Sequence, residues 1–376
     1  MEDFKDLKSK YDDFLLPIVR IEVGGRNIAL DKAGFAISNI IVDLTSGYEA
    51  SVAEFTIYNC YDMATREYKF DKVKKYILLG SCVKILMGYG TSVSEVFRGF
   101  ISQVDFVYRQ HELPGIEVHA MDVKGIMMAN NYAKQIKANS YSEAVDKIFA
   151  EGAYEKLQNN GIVDKYNVDA TPDKREDNET TDQTVEMVFE SDYEFVVKAA
   201  KKFNYEFFAE RGQVYFRKAK SDTSKLIKLG PDEGFVEIDI SYDITGLVGK
   251  LEVRNVDPGR GKVVTAKKQF TNKISQGNKA KQLISKQEKI YVDPTAASQR
   301  DADYRAQYLL ENMSYRFGML DAVAIGLPVL MPGHFIEVDG FGKAADNTFY
   351  LTNVRHTMES QESFRTHIIG RSAKMQ

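Results

Sequence analysis

The chain has 376 residues, of which 44% are hydrophobic and 28% charged, and its net charge is −4. This length predicts about two or three domains that fold without disulfide or metal support, and the charge argues against a dedicated nucleic-acid binder. The N-terminal residues hold no apolar signal core, and no apolar run is long enough to cross a membrane. We therefore expect a protein made in the cytoplasm without a signal peptide or membrane insertion. Tyr and Phe number 21 and 22, which favours strand-rich structure.

Residues 17–128 read as one antiparallel β domain. The segment "PIVRIEVGG" alternates apolar and polar residues between Ile18 and Val23, and two more apolar runs, Ile40–Leu44 and Ala53–Tyr58, follow it. A helical pattern then precedes three further strands in "CVKILMGYG", "EVFRGFISQVDFVYR" and "GIEVHAMDVKGIM". The chain has two cysteines, Cys60 and Cys82. We expect both thiols to be reduced and buried, because a secreted disulfide scaffold would contain more cysteines.

Residues 135–230 predict an α+β module. Ser140 is placed to cap a helix through "SYSEAVDKIFAEGAYEKL". Residues 173–194 are acidic, and the first half of this stretch contains no apolar residues. This first half predicts a solvated loop. A short amphipathic helix, "SDYEFVVKAAKKFN", leads into a hairpin that turns at Arg211-Gly212.

The last third returns to strands around a basic stretch and a helix. The best helical pattern of the chain is "PTAASQRDADYRAQYLLENMSYRFG", for which Gly318 is the predicted C-terminal stop. The basic residues that precede this helix are opposed only by Glu288, and they are Arg260, Lys262, Lys267, Lys268, Lys273, Lys279, Lys281, Lys286 and Lys289.

Two segments of the chain share one pattern of glycine, apolar and aromatic residues. They are "GSCVKILMGYGTSVSEVF" and "GHFIEVDGFGKAADNTF", which begin at Gly80 and Gly333. Each has a Gly-aromatic-Gly triplet followed by a Phe that opens the next strand, which indicates two copies of one strand–turn–strand unit. The predicted structural turn residues are Gly88, Gly90, Pro332, Gly333, Gly340 and Gly342.

The residues capable of chemistry form no recognisable catalytic pattern. His334 follows Pro332, but no histidine pair has the spacing of a metal site, so we expect no metal. The GxG turns lack the following helix that a phosphate-binding loop requires, and no nucleophile signature is present. The acidic residues are scattered, which favours solvated charge and leaves paired catalytic carboxylates open as the alternative. We expect no catalytic residues and no cofactor.

Three motifs, in this order, resemble the phage late control gene D and VgrG-base family, which are baseplate hub proteins of contractile tails and related injection machines. The first is "GYGTSVSEVFRGFISQVDF", with the pair Met121-Asp122 after it. The second is "SDYEFVVKAAKKFNYEFFAERGQVYFRKA". The third is "DADYRAQYLLENMS" followed by "GLPVLMPGHFIEVDGFG" and a strand that ends near His356. The resemblance covers nearly the whole chain, but the chain lacks the OB-fold and β-helical spike with which VgrG proteins continue, so any spike is expected to be a separate protein.

The resemblance implies a mainly β fold with an α+β insertion. It implies a first tube-like antiparallel β-barrel in residues 1–130, an α+β domain in 131–232, and a second barrel in 233–376. The second barrel would carry the basic insertion and helix at about 260–317. The two barrels would be related by internal duplication.

The implied function is that of a structural hub. Three chains would place six barrels in a ring with pseudo-sixfold symmetry, which can join a hexameric tail tube to a trimeric spike. The expected partners are the chain itself as a homotrimer, the tail tube protein, the central spike protein, other baseplate proteins and a tape measure protein. We expect Arg260, Lys262, Lys267 and Lys268 to contribute to an oligomer or partner contact rather than to sequence-specific nucleic-acid binding.

Two other functions stay open at this point. A hub could also carry cell-wall hydrolase activity, which would require a clustered catalytic constellation. Alternatively, surface tyrosines could serve a glycan- or receptor-binding module, which would be a monomer rather than a trimer. The basic stretch could equally be a solvated insertion.

Overall fold

Strands from the two ends of the chain meet in one sheet in the computed structural model. The structure describes residues 1–29, 34–173, 184–256, 261, 263–271, 278–296, 298–359 and 363–375. Apart from a 3₁₀ turn at Asp12–Phe14, the elements before residue 130 are α1 Phe4–Lys10, β1 Pro17–Val23, β2 Arg26–Asn27, β3 Ile37–Thr45, β4 Val52–Ile57, β5 Tyr61–Asp62, β6 Glu67–Tyr68, α2 Phe70–Tyr76, β7 Cys82–Tyr89, β8 Ser92–Val107, β9 Gly115–Met121 and α3 Lys124–Met127.

The remaining elements alternate between helices and strands, then return to strands. The middle elements are β10 Tyr132–Lys137, α4 Tyr141–Phe149, α5 Gly152–Asn159, β11 Lys165–Val168, β12 Thr184–Glu190, α6 Asp192–Phe203, β13 Tyr205–Glu210, β14 Gln213–Lys218 and β15 Lys225–Leu229. The last are β16 Phe235–Tyr242, β17 Lys250–Val256, β18 Val263–Gln269, α7 Asn278–Ser285, β19 Glu288–Val292, α8 Gln299–Ser314, β20 Gly318–Ile325, β21 Phe335–Val338, β22 Asn347–Met358 and β23 Arg365–Ser372. The protein is therefore mainly β, with helices concentrated in the middle and beside the β17–β19 region.

The described residues form a sheet of 13 strands that runs in the order β16-β20-β23-β22-β3-β4-β9-β8-β7-β1-β2, with β21 beside β22 and β15 beside β21. Most neighbours are antiparallel, and β15 is parallel to β21. The antiparallel pairing of β22 with β3 joins the C-terminal strands to the N-terminal strands. Strands from both predicted barrels thus join one continuous sheet over one apolar core, whereas β17–β19 of the second predicted barrel and the β5–β6 pair of the first form separate sheets.

Alternation within the strands explains which side chains enter this core. In β9, Ile116, Val118 and Ala120 are buried, whereas Glu117 and His119 point to the other face. Successive side chains of a strand point to opposite faces, so one apolar set covers one face. This pattern is the same one that predicts the strand from the sequence.

The α+β part has its own core. Helices α4 and α6 pack with β11, β13 and β14 around buried aromatic and aliphatic side chains. Ser140 caps α4 as predicted, because its hydroxyl accepts a hydrogen bond from the Glu143 N–H at 3.2 Å. Ser191 caps α6 through a reciprocal capping box with Glu194. The predicted acidic loop lies largely outside the described residues, which stop at residue 173 and resume at residue 184.

The basic stretch contributes to a small sheet-and-helix unit. Strands β18, β17 and β19 form a three-stranded sheet against which α8 packs, around Leu251, Val253 and Met313. A capping box between Ser298 and Asp301 begins α8. The prediction that Gly318 ends this helix is wrong, because α8 ends at Ser314 and Gly318 begins β20.

Two further expectations concern the thiols and the membrane. Cys60 and Cys82 are both buried and form no disulfide, and burial raises the pKa of each thiol. Within the part of the chain that the structure covers, no helix is both long and apolar enough to cross a membrane.

Candidate functional site

The two repeated segments begin with the same backbone geometry. Gly80 and Gly333 have positive φ values of +80° and +87°. The Gly80 N–H donates to the Ile101 carbonyl at 2.8 Å, and the Ile101 N–H donates back to the Ser81 carbonyl at 3.0 Å. In the second segment, the Gly333 N–H donates to the Leu351 carbonyl at 2.9 Å, and the Leu351 N–H donates to the His334 carbonyl at 2.8 Å. Both segments therefore start a strand pair with the same reciprocal hydrogen bonds.

The glycines of the two Gly-aromatic-Gly triplets differ in backbone conformation. Gly90, Gly340 and Gly342 have positive φ values of +56°, +94° and +95°, a conformation that glycine adopts without steric cost. Gly88, predicted as a turn residue, instead lies inside β7. A Cβ atom at Gly88 would lie 2.0 Å from the Ser92 carbonyl oxygen, so glycine is required there by the close approach of β8.

The segment around Pro332 lies where the sheet contacts the α+β part, and we call this contact the seam. Pro332 and Gly333 lie in a turn directly before β21. A Cβ atom on Gly333 would lie 2.6 Å from Cζ of Phe208 in β13, so the turn fits tightly against that ring. The Arg217 guanidinium donates a hydrogen bond to the Gly333 carbonyl. The Pro-Gly pair is therefore structural, and its glycine allows the two parts of the protein to approach closely.

His334 belongs to the same seam. Its Nε2 atom lies 2.8 Å from Oε2 of Glu210 in β13, and its Nδ1 atom lies 3.9 Å from Oδ2 of Asp222. One ring nitrogen is thus engaged by a carboxylate of the α+β part. Nearby, the Arg211 side chain donates to the carbonyl oxygens of Glu95 at 2.8 Å and Pro328 at 3.0 Å, which adds polar contacts across the seam.

A buried charged cluster, which no sequence pattern predicts, lies at the same contact between the sheet and the α+β part. Glu206 accepts a hydrogen bond from Arg217 Nε at 2.6 Å and another from the Tyr350 hydroxyl. Burial raises the pKa of Glu206 and holds that of Tyr350 well above its ordinary value. The only sequence signal was a Glu within the otherwise apolar run "YEFF", and its partner Tyr350 is 144 residues away.

A second buried charge pair, Asp122 and Lys124, lies directly after β9. The Asp122 carboxylate accepts hydrogen bonds from the N–H groups of Ser51 at 2.8 Å and Lys124 at 2.9 Å. Lys124 Nζ lies 3.7 Å from Asp122 Oδ2 and donates to the carbonyl oxygens of Gly47, Glu49 and Phe207. Burial lowers the pKa of the Lys124 ammonium. Through these hydrogen bonds the pair connects the end of β9 with the loop after β3 and with β13.

The predicted partner-binding lysines lie on β18. Lys267 Nζ is 3.1 Å from Glu252 Oε2, and its side chain is 65% exposed. Lys268 Nζ is 3.5 Å from Asp303 Oδ1 in α8. Each has an intramolecular carboxylate partner while it remains accessible to solvent. Arg260 and Lys262 lie outside the described residues.

One group of side chains in the described ranges has the donor atoms of a metal site. Glu54, Glu117 and His119 present their ligand atoms within 4.8 Å of one another on β4 and β9. His119 also lies 3.2 Å from Asp105, and Glu117 lies 3.4 Å from Arg109. All three are partly exposed, and two of them already contact a charged side chain outside the group. Histidine spacing along the chain could not reveal this group, because it contains one histidine and Glu54 comes from a different strand.

Comparison with solved structures places the fold among tail proteins. A tail protein from Neisseria meningitidis MC58 is similar with a TM-score of 0.65 and 12% identity, over 95% of this chain and 97% of that one. The 43 kDa tail protein of prophage MuSo2 from Shewanella oneidensis has a TM-score of 0.67 and 11% identity, over 95% and 98%. A component of the E. coli type VI secretion system has a TM-score of 0.52 and 12% identity, over 93% and 76%. At these identities the likeness establishes a shared fold.

Comparison of the sequence with protein-family models assigns this chain to a family. No curated protein sequence matches the chain. A family model described as "Alg8 N-terminal domain" matches residues 18–360, which is most of the chain. The protein therefore belongs to the Alg8 N-terminal domain family.

Proposed function

We propose that this chain is a structural hub in the baseplate of a contractile tail or a related injection particle. The observation that carries this proposal is the fold shared with two tail proteins over at least 95% of each chain. A likeness of this extent leaves little of the protein outside the shared architecture. Because fold alone does not specify activity, the role in assembly is what the experiments below must test.

The finer assignment, to the late control gene D and VgrG-base type of hub, rests on motif order. The similar E. coli protein is described as a type VI secretion component with structural similarity to the bacteriophage T4 tail proteins gp27 and gp5. In this proposal residues 1–130 and 233–376 each supply one barrel-like unit, and residues 131–232 supply the α+β domain. The matching hydrogen bonds at Gly80 and Gly333 support an internal duplication of the strand–turn–strand unit.

The proposed assembly is a homotrimer with pseudo-sixfold symmetry and an axial channel. Two similar units in each of three chains can face a hexameric tube on one side and a trimeric spike on the other. The ordered sheet ends at β16, whose neighbour among the described strands is β20 alone. Such an edge is a place where another chain can add by backbone hydrogen bonds.

The proposed partners are the tail tube protein, a separate central spike protein, other baseplate proteins and a tape measure protein. In this role the protein has no catalytic activity and needs no cofactor. Its likeness to tail proteins supports a role in assembly rather than in hydrolysis. A purified protein that clears peptidoglycan, and loses that activity on replacement of one Asp or Glu, would contradict this part of the proposal.

Sedimentation tests the assembly directly. The purified chain is measured alone and mixed with its tube and spike partners at low salt, and a trimer is expected, alone or in the mixture. Stable assemblies of this kind bury more than about 2,000 Å² per interface, so the trimer should persist on dilution. A chain that stays monomeric in every mixture would contradict the hub and favour a glycan- or receptor-binding module.

A further inference from the structure

A polar cleft lies between the sheet and the α+β part, separate from the turn at Pro332. Its volume is about 470 Å³. Its walls come from the loop after β3, the start of β13, the residues after β14, α8 and β22, and they include Glu49, Asn204, Glu206, Lys220, Asn312 and Asn353. The walls are thus drawn from segments far apart in sequence, and most carry polar side chains.

Lys220 is the positively charged residue among those that line this cleft. Its Nζ atom lies 4.6 Å from the centre of the Tyr315 ring and 5.3 Å from that of Tyr350. Two carboxylates, Glu206 and Glu311, attract it electrostatically without a hydrogen bond. Among the described residues, therefore, no carboxylate forms an ion pair with this ammonium group.

Among the described residues that line the cleft, the buried carboxylate is that of Glu206, and it already has hydrogen-bond partners. Glu206 bonds to Arg217 and to the Tyr350 hydroxyl, so its charge is largely balanced without Lys220. A half-buried ammonium group between two aromatic rings gains from cation–π attraction but still lacks a counter-ion. Among the described residues, the Lys220 ammonium group therefore has no hydrogen-bonded counter-ion.

A second observation also indicates an absent hydrogen-bonding partner. Asn204, which ends α6, is only 4% exposed and lines the same cleft. Its Nδ2 atom is buried, and none of the described residues accepts a hydrogen bond from it. A buried amide donor without a partner costs about 1–3 kcal/mol, so an acceptor in the cleft would be favoured at this position as well.

We propose that this cleft binds a carboxylate group, with the Lys220 ammonium as its counter-charge. A singly charged anion fits better than a doubly charged phosphate, because Glu49 adds negative charge to the same walls. The exposed amides of Asn312 and Asn353 offer further neutral donors. The carboxylate can belong to a free small molecule or to an Asp or Glu side chain of a partner protein, and the chemistry of recognition is the same. This inference does not depend on the proposed hub function.

Amine labelling tests the site. The acylation rate of each lysine by an N-hydroxysuccinimide ester is followed by peptide mass spectrometry in sodium acetate and in sodium chloride of equal ionic strength. Acylation requires the unprotonated amine, and a bound carboxylate favours the ammonium form of Lys220, so we expect acetate to slow the acylation of Lys220 several-fold. Lys218, which is exposed and lies two residues away, serves as the internal control and should react equally in both salts.

Thermal unfolding gives an independent measurement. Acetate should raise the unfolding midpoint of the wild-type protein above its value in chloride. Lys220→Met should reduce this difference, whereas Lys220→Arg and Lys218→Met should retain it. If the acetate effect is the same in wild type and Lys220→Met, and Lys220 acylation is equal in both salts, the proposal is wrong.

A peptide distinguishes the two sources of the carboxylate. The peptide acetyl-Gly-Glu-Gly-amide stands in for a protein side chain, and acetate stands in for a free ligand. Stronger protection of Lys220 by the peptide at equal concentration would indicate a partner protein, and protection by acetate alone would indicate a small molecule. Protection by neither overturns the proposal.

Discussion

Lys124 Nζ lies 3.7 Å from Asp122 Oδ2 in a region where neither side chain reaches solvent. The ammonium group also bonds to three backbone carbonyls, from the loop after β3 and from β13. The pair thus satisfies polar groups of three separate segments at the junction of the sheet and the α+β part.

Lys124→Met should destabilise the protein strongly. The substitution leaves the Asp122 carboxylate buried without its cation, and breaking one partner of a buried pair costs about 3–5 kcal/mol. Urea unfolding measures the change, and the exposed Lys165→Met is the matched control, with an expected change within about 0.5 kcal/mol. The double variant Asp122→Asn with Lys124→Met should recover part of the loss. Equal stability of Lys124→Met and Lys165→Met would show that the pair is dispensable.

Gly333→Ala should cost more than Gly342→Ala. Both residues have positive φ, at +87° and +95°, so each substitution costs about 1–2 kcal/mol from the left-handed backbone. At Gly333 the new Cβ would lie 2.6 Å from Phe208, whereas no atom of the described residues would lie within 4 Å of a Cβ at Gly342. Overpacking adds about 1–3 kcal/mol at Gly333. Unfolding midpoints of the two variants give the comparison, and equal losses would contradict the tight fit of the Pro332–Gly333 turn.

His356 should make the protein less stable in acid. The side chain is fully buried, lies 3.0 Å from the Thr366 hydroxyl and 3.2 Å from the Leu330 carbonyl, and burial lowers its pKa from 6.5 to about 3. Below pH 6.5 the unfolded chain binds a proton that the folded protein does not, so this contribution to stability is complete above pH 6.5 and is lost as the pH falls toward 3. The loss is about 1.4 kcal/mol per pH unit.

The pH dependence is measured against His356→Gln. The free energy of unfolding of the variant should fall less steeply between pH 6 and about 4 than that of the wild type, because other titrating groups are common to both. His111→Gln, at an exposed position, should keep the wild-type slope. A His356→Gln slope equal to that of the wild type would show that this side chain is not buried in its neutral form.

Charge reversal tests the partner contact proposed for β18. Lys267→Glu together with Lys268→Glu should weaken binding to an acidic partner surface and reduce the salt dependence of binding. Both side chains have intramolecular partners, Glu252 and Asp303, so the fold of the variant is checked by circular dichroism. Lys156→Glu with Lys165→Glu, at exposed positions in the α+β part, is the control. If trimers form and partner binding survives in the β18 variant, the basic stretch has no role in it.

Local chemistry along the chain determined much of the secondary structure. The alternation in β9, the N-cap Ser140, and the hairpin at Arg211-Gly212 each depend on residues within a few positions of one another. Short-range sterics and hydrogen bonds act in the same way whatever the rest of the chain does. The sequence therefore predicts a mainly β protein with an α+β insertion.

Tertiary structure alone decided how these elements combine. The pairing of β22 with β3 unites strands that are some 300 residues apart, and no local pattern specifies such a partner. The Glu206–Tyr350 contact and the burial of Lys124 arise in the same way, because a charge enters a core only where distant groups compensate it. Gly88 illustrates the same limit at the scale of one residue. Its triplet predicts a turn, but the close approach of Ser92 from β8 is what requires glycine there.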